Sequence, residues 1–352
     1  MVSSFNRVAG LLFALSASMA IAQPSHELIF PIGSAPFAAS HASTIAQLKN
    51  GDLLAAWFGG TGEGYPDVAI WSARRTASGW SAPVELAREP HIACWNPVLF
   101  HSADGRLWLY YKYGPAPFNW VAARKFSLDE GRTWSSVEHL SAGLLGPIRA
   151  KPLLLDNGVI VSGTSVEAYH EWSIWVERSA DNGATWATIG PIPIARNGPG
   201  NPAALDRTHG LIQPSIVRIG KHHLRLFARS TEDIARICVS DSFDDGLTWS
   251  AARPLDLPNP NSGIDAISLR DGRIVLVYNN STTERSPLDV AVSNDGEHFK
   301  NFKTLESQPG EFSYPAIIQE AGGDIDITYT WNRKSIAFVN IPLETIPSML
   351  TR

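Results

Sequence analysis

The sequence predicts an all-β protein, a six-bladed β-propeller made of four-stranded antiparallel blades. One turn motif, Ser-x-Asp-x-Gly-x-Thr-Trp, occurs at Ser127–Trp134, Ser179–Trp186 and Ser242–Trp249. A second pattern, two apolar strands separated by a Gly-containing turn, occurs six times. Copies about 50 to 60 residues apart indicate an array of small, similar sheets. We find no helical periodicity longer than a turn or two.

The turn motif has the chemistry of a hairpin turn. We expect Asp to bend its carboxylate back onto backbone N–H groups, Gly to supply a positive φ, and Trp to pack over the turn. Less complete copies of the turn motif lie at Ser293–Phe299 and Ala77–Trp80. Asp129, Asp181 and Asp244 are therefore interpreted as structural residues on the periphery.

The strand repeats predict how the ring is built and closed. Each unit starts with an apolar run suited to a buried strand and is followed by a third strand and an outer fourth one. The sixth unit ends without a turn motif, so His26–Phe30 is expected to supply its outer strand and remove the open edge. The six units contain Ser43–Trp57, Asn96–Tyr111, Lys151–Ser162, Gln213–Arg229, Asp265–Tyr278 and Tyr314–Trp331.

Composition and the N-terminal segment indicate a compartment and exclude some partners. Charged residues make up 18% of the 352 residues and the net charge is −5, so no basic surface suggests a nucleic-acid partner. Arg7, the apolar run Val8–Leu15 and small residues up to Ala22 indicate a signal peptide, residues 1–22, before one domain, residues 23–352. No later segment suggests a membrane span. We expect an exported protein, secreted or periplasmic.

The two cysteines, Cys94 and Cys238, lie in separate repeats and are expected to be buried and unpaired, although an oxidising compartment permits a bridge. No Cys/His spacing resembles a zinc site, and no metal or cofactor is predicted. The oligomeric state is left open.

In a propeller the first strands line the central channel, and the loops that lead into them build one concave face. Functional residues should therefore lie at the heads of the first strands and the ends of the second. The polar and aromatic candidates for binding a substrate there are Arg149, Lys151, His209, Trp95, Asn96 and Lys112.

The turn motifs and the ring closure resemble the sialidase (neuraminidase) superfamily over nearly the whole mature chain. In that family three Arg side chains hold the sugar carboxylate, and a Tyr, with a Glu as its base, attacks the anomeric carbon. The resemblance places Tyr314, in Phe312–Tyr314, at the nucleophile. It places Arg229 and Arg285 at two of the carboxylate-binding positions and Asp67 near the acid/base.

Two positions depart from the family pattern. His41 stands where the family has its first Arg, and Gln213 stands where it has the Glu base. Without that base, ionising a phenol near neutral pH costs about 4 kcal/mol. Glu167, Glu171, His170 or His209 could substitute.

These residues are compatible with three functions. The first is a sialidase-like glycoside hydrolase that cleaves a terminal acidic sugar from a glycan. The second is a lyase, or a glycosidase for a uronic-acid-containing glycan, that uses His41, His209 and Tyr314. The third is a carbohydrate-binding propeller without turnover.

Overall fold

A computed structural model describes residues 26–195 and 209–348, and the predicted signal peptide lies outside them. The fold is all-β. In chain order the first strands are β1 (His26–Leu28), β2 (Ala39–Gln47), β3 (Leu53–Gly60), β4 (Ala69–Thr76), β5 (Gly79–Trp80), β6 (Val84–Ala87), β7 (Cys94–His101), β8 (Leu107–Tyr113), β9 (Val121–Ser127) and β10 (Glu138–His139).

The remaining strands are β11 (Leu153–Leu154), β12 (Ile160–Glu167), β13 (Glu171–Ser179), β14 (Ala187–Ile192), β15 (His209–Arg218), β16 (Leu224–Ser230), β17 (Arg236–Ser242), β18 (Arg253–Pro258), β19 (Asp265–Ser268), β20 (Ile274–Asn279), β21 (Leu288–Ser293), β22 (Lys300–Glu306), β23 (Phe312–Gln319), β24 (Ile325–Trp331) and β25 (Ser335–Ile341). The helices of the described residues are two short 3-10 turns, Pro117–Asn119 and Leu343–Thr345.

The strands form six antiparallel groups in sequence order. These are β2–β6, β7–β10, β11–β14, β15–β18, β19–β22, and β23–β25 with β1. A short parallel pairing of β13 with β15 joins the third and fourth groups into one sheet. The predicted outer strand of the sixth unit is confirmed over His26–Leu28, which pairs with Ala337–Val339 of β25.

The first strands of several neighbouring groups touch one another. β2 contacts both β7 and β23, while β19 contacts both β15 and β23. Asp265 links three of these strands, since its carboxylate accepts hydrogen bonds from Ser215 Oγ at 2.8 Å and from Ile317 N at 3.0 Å. Residues far apart in sequence are thereby brought to the heads of these strands.

The turn motifs have the predicted hydrogen bonds. Asp181 Oδ1 accepts from Thr185 N at 2.8 Å, and Trp186 Nε1 donates to Gly183 O at 3.1 Å. The motifs at Asp129 and Asp244 repeat this arrangement. Cys94 and Cys238 are buried and free, as predicted. None of the helices in the described ranges has the length and apolar character that a membrane crossing requires.

Candidate active site

Four first strands carry the same irregularity at their heads. β2, β7, β15 and β23 each show a register shift against the following strand. The first of the two residues inside each shift has a positive φ: 56° at Ala42, 39° at Asn96, 54° at Gln213 and 53° at Tyr314. This conformation is uncommon for residues other than glycine, and a bulge changes the direction in which a side chain points. The bulges bring Gln213 and Tyr314 into contact.

The Tyr314 hydroxyl receives two hydrogen bonds. Arg229 Nη1 donates to Tyr314 Oη at 2.7 Å, and Gln213 Nε2 donates at 3.3 Å. Arg229 Nη1 also donates to Gln213 Oε1 at 3.2 Å. Because a guanidinium only donates, the amide oxygen must face Arg229 and the amide nitrogen must face the phenol.

Three guanidinium groups surround the Tyr314 ring. The Cζ atoms of Arg149, Arg229 and Arg285 lie 5.2, 5.7 and 5.8 Å from its centroid. This arrangement brings together two Arg residues assigned by resemblance and a third that was predicted from its place at a strand head. Several positive charges around one buried ring create a site that favours an anion.

Arg149 is held by the backbone and keeps unused donors. Its Nη2 donates to Pro315 O and, at 3.3 Å, to Ile264 O. Its Nε and Nη1 atoms are buried and have no hydrogen-bond partner among the described residues. Burial lowers the pKa of Arg149. A buried charged donor without a partner is costly, so these atoms mark a place for a polar ligand group.

A chain of ion pairs runs along one side of the cluster. Arg285 Nη1 donates to Glu311 Oε1 at 2.7 Å, and Arg333 Nε donates to Glu311 Oε2 at 2.9 Å. Arg333 also pairs with Glu63 from the β3–β4 loop. Burial alone raises the pKa of Glu311, but the hydrogen bonds and charges of Arg333 and Arg285 outweigh it and leave the pKa lowered. Glu311 is therefore an anion that orients two guanidinium groups.

His41 is buried beside the phenol. Its ring centroid lies 4.2 Å from that of Tyr314, and neither of its ring nitrogens has a hydrogen-bond partner among the described residues. Burial, followed by the charges of Arg333, Arg285, Arg149 and Arg229, holds the pKa of His41 well below its usual range. His41 is thus a neutral imidazole that lines a small cavity with Ser40, Glu63 and Arg333.

Glu167, at the end of β12, borders Gln213 and Arg229. Its side chain is 8% exposed, and Oε1 has no hydrogen-bond partner among the described residues. Burial raises the pKa of Glu167 to about 7, against the lowering effects of the Arg229 charge and a hydrogen bond with Gln213. Of the four substitutes for the missing base, Glu167 is the one with these contacts to Gln213 and Arg229.

Three other sequence candidates have partners of their own. Asp67 is exposed, and its Oδ2 accepts from Thr61 N at 2.8 Å within the β3–β4 loop. Lys151 Nζ pairs with Asp265 Oδ2 at 2.9 Å. His209 Nδ1 lies 2.6 Å from Asp233 Oδ2. None of these hydrogen bonds and ion pairs involves Tyr314.

Trp95 and Lys112 belong to the packed interior. Trp95 Nε1 donates to Gly114 O at 2.8 Å, and its ring packs against Phe58 and Trp120. Lys112 is fully buried, and its Nζ donates to Pro147 O at 2.8 Å. Burial lowers the pKa of Lys112, against the opposing charge of Glu177. Asn96 is buried at the bulge of β7.

Several residues of the cluster were not predicted from the sequence. Glu63, Glu311 and Arg333 form the ion-pair chain, and Asn261 accepts from Arg229 Nε at 2.7 Å through Oδ1. The ring of Trp172 also belongs to the cluster and lies 5.7 Å from Arg229 Cζ. The available signal was that Asn261 and Glu311 lie in loops that lead into the first strands β19 and β23. Glu63 lies instead in the loop between the second and third strands of its group.

The fold and its strand-and-turn repeats are those of a BNR-repeat protein. Residues 51–327 match the family model described as BNR repeat-like domain, and the chain belongs to that family. A comparison with curated protein sequences gives no match.

Solved structures with the same fold include sialidases. The NanB sialidase of Streptococcus pneumoniae superposes with a TM-score of 0.72 at 13% identity, over 91% of this chain and 71% of that one. The intramolecular trans-sialidase of Ruminococcus gnavus, in complex with oseltamivir carboxylate, gives 0.72 at 13% identity over 92% and 98%. A Dyadobacter fermentans protein described as of unknown function gives 0.73 at 16% over 90% and 97%. These likenesses concern the fold.

Proposed function

We propose that this chain is a sialidase-type glycoside hydrolase, built as a six-bladed β-propeller, that removes a terminal acidic sugar from a glycan. The observation that carries the proposal is the set of three guanidinium groups 5.2 to 5.8 Å from the Tyr314 ring. Guanidinium groups bind carboxylates through directed, charge-assisted hydrogen bonds. In a sialic acid the carboxylate is attached to the anomeric carbon, so a sialic acid held there by its carboxylate has its anomeric carbon close to the phenol.

The nucleophile in this proposal is Tyr314. Its Oη forms a bond to the anomeric carbon while the glycosidic C–O bond breaks and the leaving oxygen takes a proton. Gln213 is not a base, so the phenol proton passes to another group. Glu167 is our candidate, because its partly protonated carboxyl borders Gln213 and Arg229 and keeps one oxygen unpartnered among the described residues.

The β3–β4 loop is our candidate source of the acid/base. Asp67 is the residue that the resemblance selects, and Glu63 is the residue of this loop that contacts the cluster through Arg333. Removing an acid slows substrates with basic leaving groups far more than those with acidic ones. Asp67→Asn and Glu63→Gln, compared on aryl glycosides of graded leaving-group acidity, distinguish the two.

The test of the proposed function is turnover by the purified protein. Aryl glycosides of a sialic acid and of several uronic acids are offered to the wild type, Tyr314→Phe and Arg285→Met. We expect release of one acidic sugar, lost by at least about 100-fold in Tyr314→Phe, and a raised KM in Arg285→Met. Tyr314→Phe with undiminished turnover excludes the mechanism. Binding without any product supports the carbohydrate-binding alternative.

A second candidate is a lyase acting on a uronic-acid-containing glycan. The observation that favours it is His41, a neutral imidazole 4.2 Å from the Tyr314 ring with both nitrogens unpartnered among the described residues. Such a base suits removal of the proton next to a carboxylate whose charge arginine neutralises. Ultraviolet absorption by an unsaturated product supports the lyase, whereas product without such absorption supports hydrolysis.

We also propose that residues 1–22 direct export and that residues 23–352 act as one domain, outside the cytoplasm. The acidic glycan is the partner in this proposal. N-terminal sequencing of the exported protein tests cleavage after Ala22.

A further inference from the structure

The loop that leads to Arg149 is held differently from the heads of most other first strands. The first strand of the third group, β11, has two residues, whereas β2, β7, β15 and β23 have eight to ten. Residues 140–152 have two residues of strand fewer still, because none of them lies in a strand, yet residues 146–150 are buried. Buried backbone groups outside a sheet need other hydrogen-bond partners. Residues 145–148, the strap, find such partners in two buried charged side chains.

Lys112 and Glu177 are the two charged side chains that bind the backbone of the strap. Lys112 Nζ donates to Pro147 O at 2.8 Å. The two carboxylate oxygens of Glu177 accept from Leu145 N at 2.8 Å and from Gly146 N at 2.6 Å. Lys112 and Glu177 are both fully buried, and the charge of each favours the ionised form of the other. Because hydrogen bonds to ionised groups are about twice as strong as those between neutral groups, the strap is firmly held.

The strap is connected directly to Arg149. One residue separates Pro147 from Arg149, and consecutive Cα atoms are only about 3.8 Å apart, so a shift of the strap passes on to Arg149. The Nη2 atom of Arg149 donates to two backbone carbonyls, while its Nε and Nη1 atoms have no partner among the described residues. The two charged side chains beneath the strap therefore determine where these unpartnered donors lie.

We propose that Lys112 and Glu177 are positioning residues for Arg149, because by holding the strap they keep its Nε and Nη1 atoms in place for the acidic group of the substrate. This proposal rests on the proposed function. A buried ion pair is often no more stabilising than apolar side chains of similar volume, but it can specify one conformation. Neither residue touches the substrate in this arrangement. Their effect should therefore appear in substrate binding, and only through Arg149.

A double-mutant cycle tests whether the two residues act through Arg149. The aryl glycoside that the wild type cleaves is offered to Lys112→Met and Glu177→Gln, each made both in the wild type and in Arg149→Met. We expect either substitution to raise KM by about 10-fold in the wild type, with kcat within about threefold, and to leave KM within about twofold in Arg149→Met. An equal rise in both backgrounds, a loss confined to kcat, or an unchanged KM overturns the proposal.

The matched control is Lys125→Met. Lys125 is partly buried, and its Nζ also donates to a backbone carbonyl, that of Leu86, at 2.9 Å. Leu86 lies in β6, which contributes no residue to the guanidinium cluster, so KM should stay within about twofold. A rise in Lys125→Met equal to that in Lys112→Met indicates a general loss of packing and overturns the assignment. If Lys112→Met does not fold, the double variant Lys112→Met/Glu177→Gln takes its place under the same criterion, because it leaves no unpaired buried charge.

Two measurements separate failure of this proposal from failure of the proposed function. Amide hydrogen exchange of residues 145–148 should become faster in Glu177→Gln and stay unchanged in Lys125→Met. The affinity for free sialic acid or glucuronate, measured by calorimetry, should fall by about 10-fold in Glu177→Gln.

If the wild type cleaves nothing yet both changes are seen, the positioning role stands and the hydrolase proposal fails. If the exchange of the strap does not change, or if it becomes faster while the affinity is unchanged, the positioning role is wrong. If the wild type neither cleaves nor binds an acidic sugar, both proposals fail.

Discussion

Arg229 Nη1 donates a hydrogen bond to Tyr314 Oη at 2.7 Å, although the two residues are 85 positions apart. Gln213 adds a second donated hydrogen bond at 3.3 Å. The phenol oxygen therefore faces two donors where the family resemblance predicts a donor and a carboxylate. Because Gln213 donates a hydrogen bond at the position where a carboxylate would accept one, the phenol of Tyr314 must pass its proton to another group.

Gln213→Glu should increase turnover. The new carboxylate accepts the hydrogen of the Tyr314 hydroxyl and keeps the hydrogen bond from Arg229, so the phenol gains a base in direct contact. We expect kcat to rise by about 10-fold above the pH at which the new group ionises, with little change in KM. The pH dependence of kcat on an aryl glycoside measures this.

Gln213→Leu is the control for that substitution. It removes the amide without supplying a base, and kcat should fall because Arg229 and Tyr314 lose a neighbour that orients them. If Gln213→Glu falls as far as Gln213→Leu, activation of the phenol by a carboxylate at this position is refuted.

Glu167 should make stability depend on pH. Its pKa of about 7 in the folded state is above its ordinary value, so the folded protein holds a proton that the unfolded chain has released. This contribution is complete below the ordinary pKa of Glu and is lost as the pH rises through about 7. Relative to Glu167→Gln, the wild type should lose up to about 3 kcal/mol of unfolding free energy between low and high pH.

Urea unfolding at about pH 4 and about pH 8 measures the difference. Glu171→Gln is the matched control, because Glu171 is exposed on the same hairpin. Its stability should follow that of the wild type at both pH values. If the stability of Glu167→Gln also follows that of the wild type at both pH values, Glu167 is not a buried carboxyl with a raised pKa.

Gly263→Ala should weaken binding of the acidic sugar with little loss of stability. A Cβ at Gly263 lies 3.0 Å from Arg149 Nε and 3.4 Å from Tyr314 Cδ2, so one of the two groups must shift. We expect KM to rise by about 10-fold while the thermal midpoint changes by a few degrees at most. Gly322→Ala is the control, since a Cβ there meets no atom within 4 Å. Unchanged KM in Gly263→Ala means that the position of Arg149 is not critical.

Sequence periodicity predicts the strands and the turn motifs well because these depend on local chemistry. Asp181, Gly183 and Trp186 form their hydrogen bonds within one turn, and they can be recognised without knowing the rest of the chain. The partner of β25 could also be predicted, because an unpaired edge requires a strand and His26–Phe30 was the unassigned apolar segment.

The cluster was harder to predict because its members come from strands and loops that are far apart in the sequence. Glu63 and Arg333 pair across 270 positions, and neither belongs to a repeated pattern. Asp67 was selected by resemblance, whereas Glu63 of the same loop makes the contact with Arg333. The bulges had a visible signal, since Asn96, Gln213 and Tyr314 each precede a proline at a strand head.

The attachment site of a trapped glycosyl group is the most direct test of whether Tyr314 is the nucleophile. The enzyme is incubated with a fluorinated analogue of the cleaved acidic sugar, which slows hydrolysis of the bond between the sugar and the enzyme. The adduct is then located by peptide mass spectrometry. We expect one adduct, on Tyr314, that is absent from Tyr314→Phe and reduced in Arg229→Met. An adduct on another side chain, or full hydrolysis by Tyr314→Phe, contradicts it.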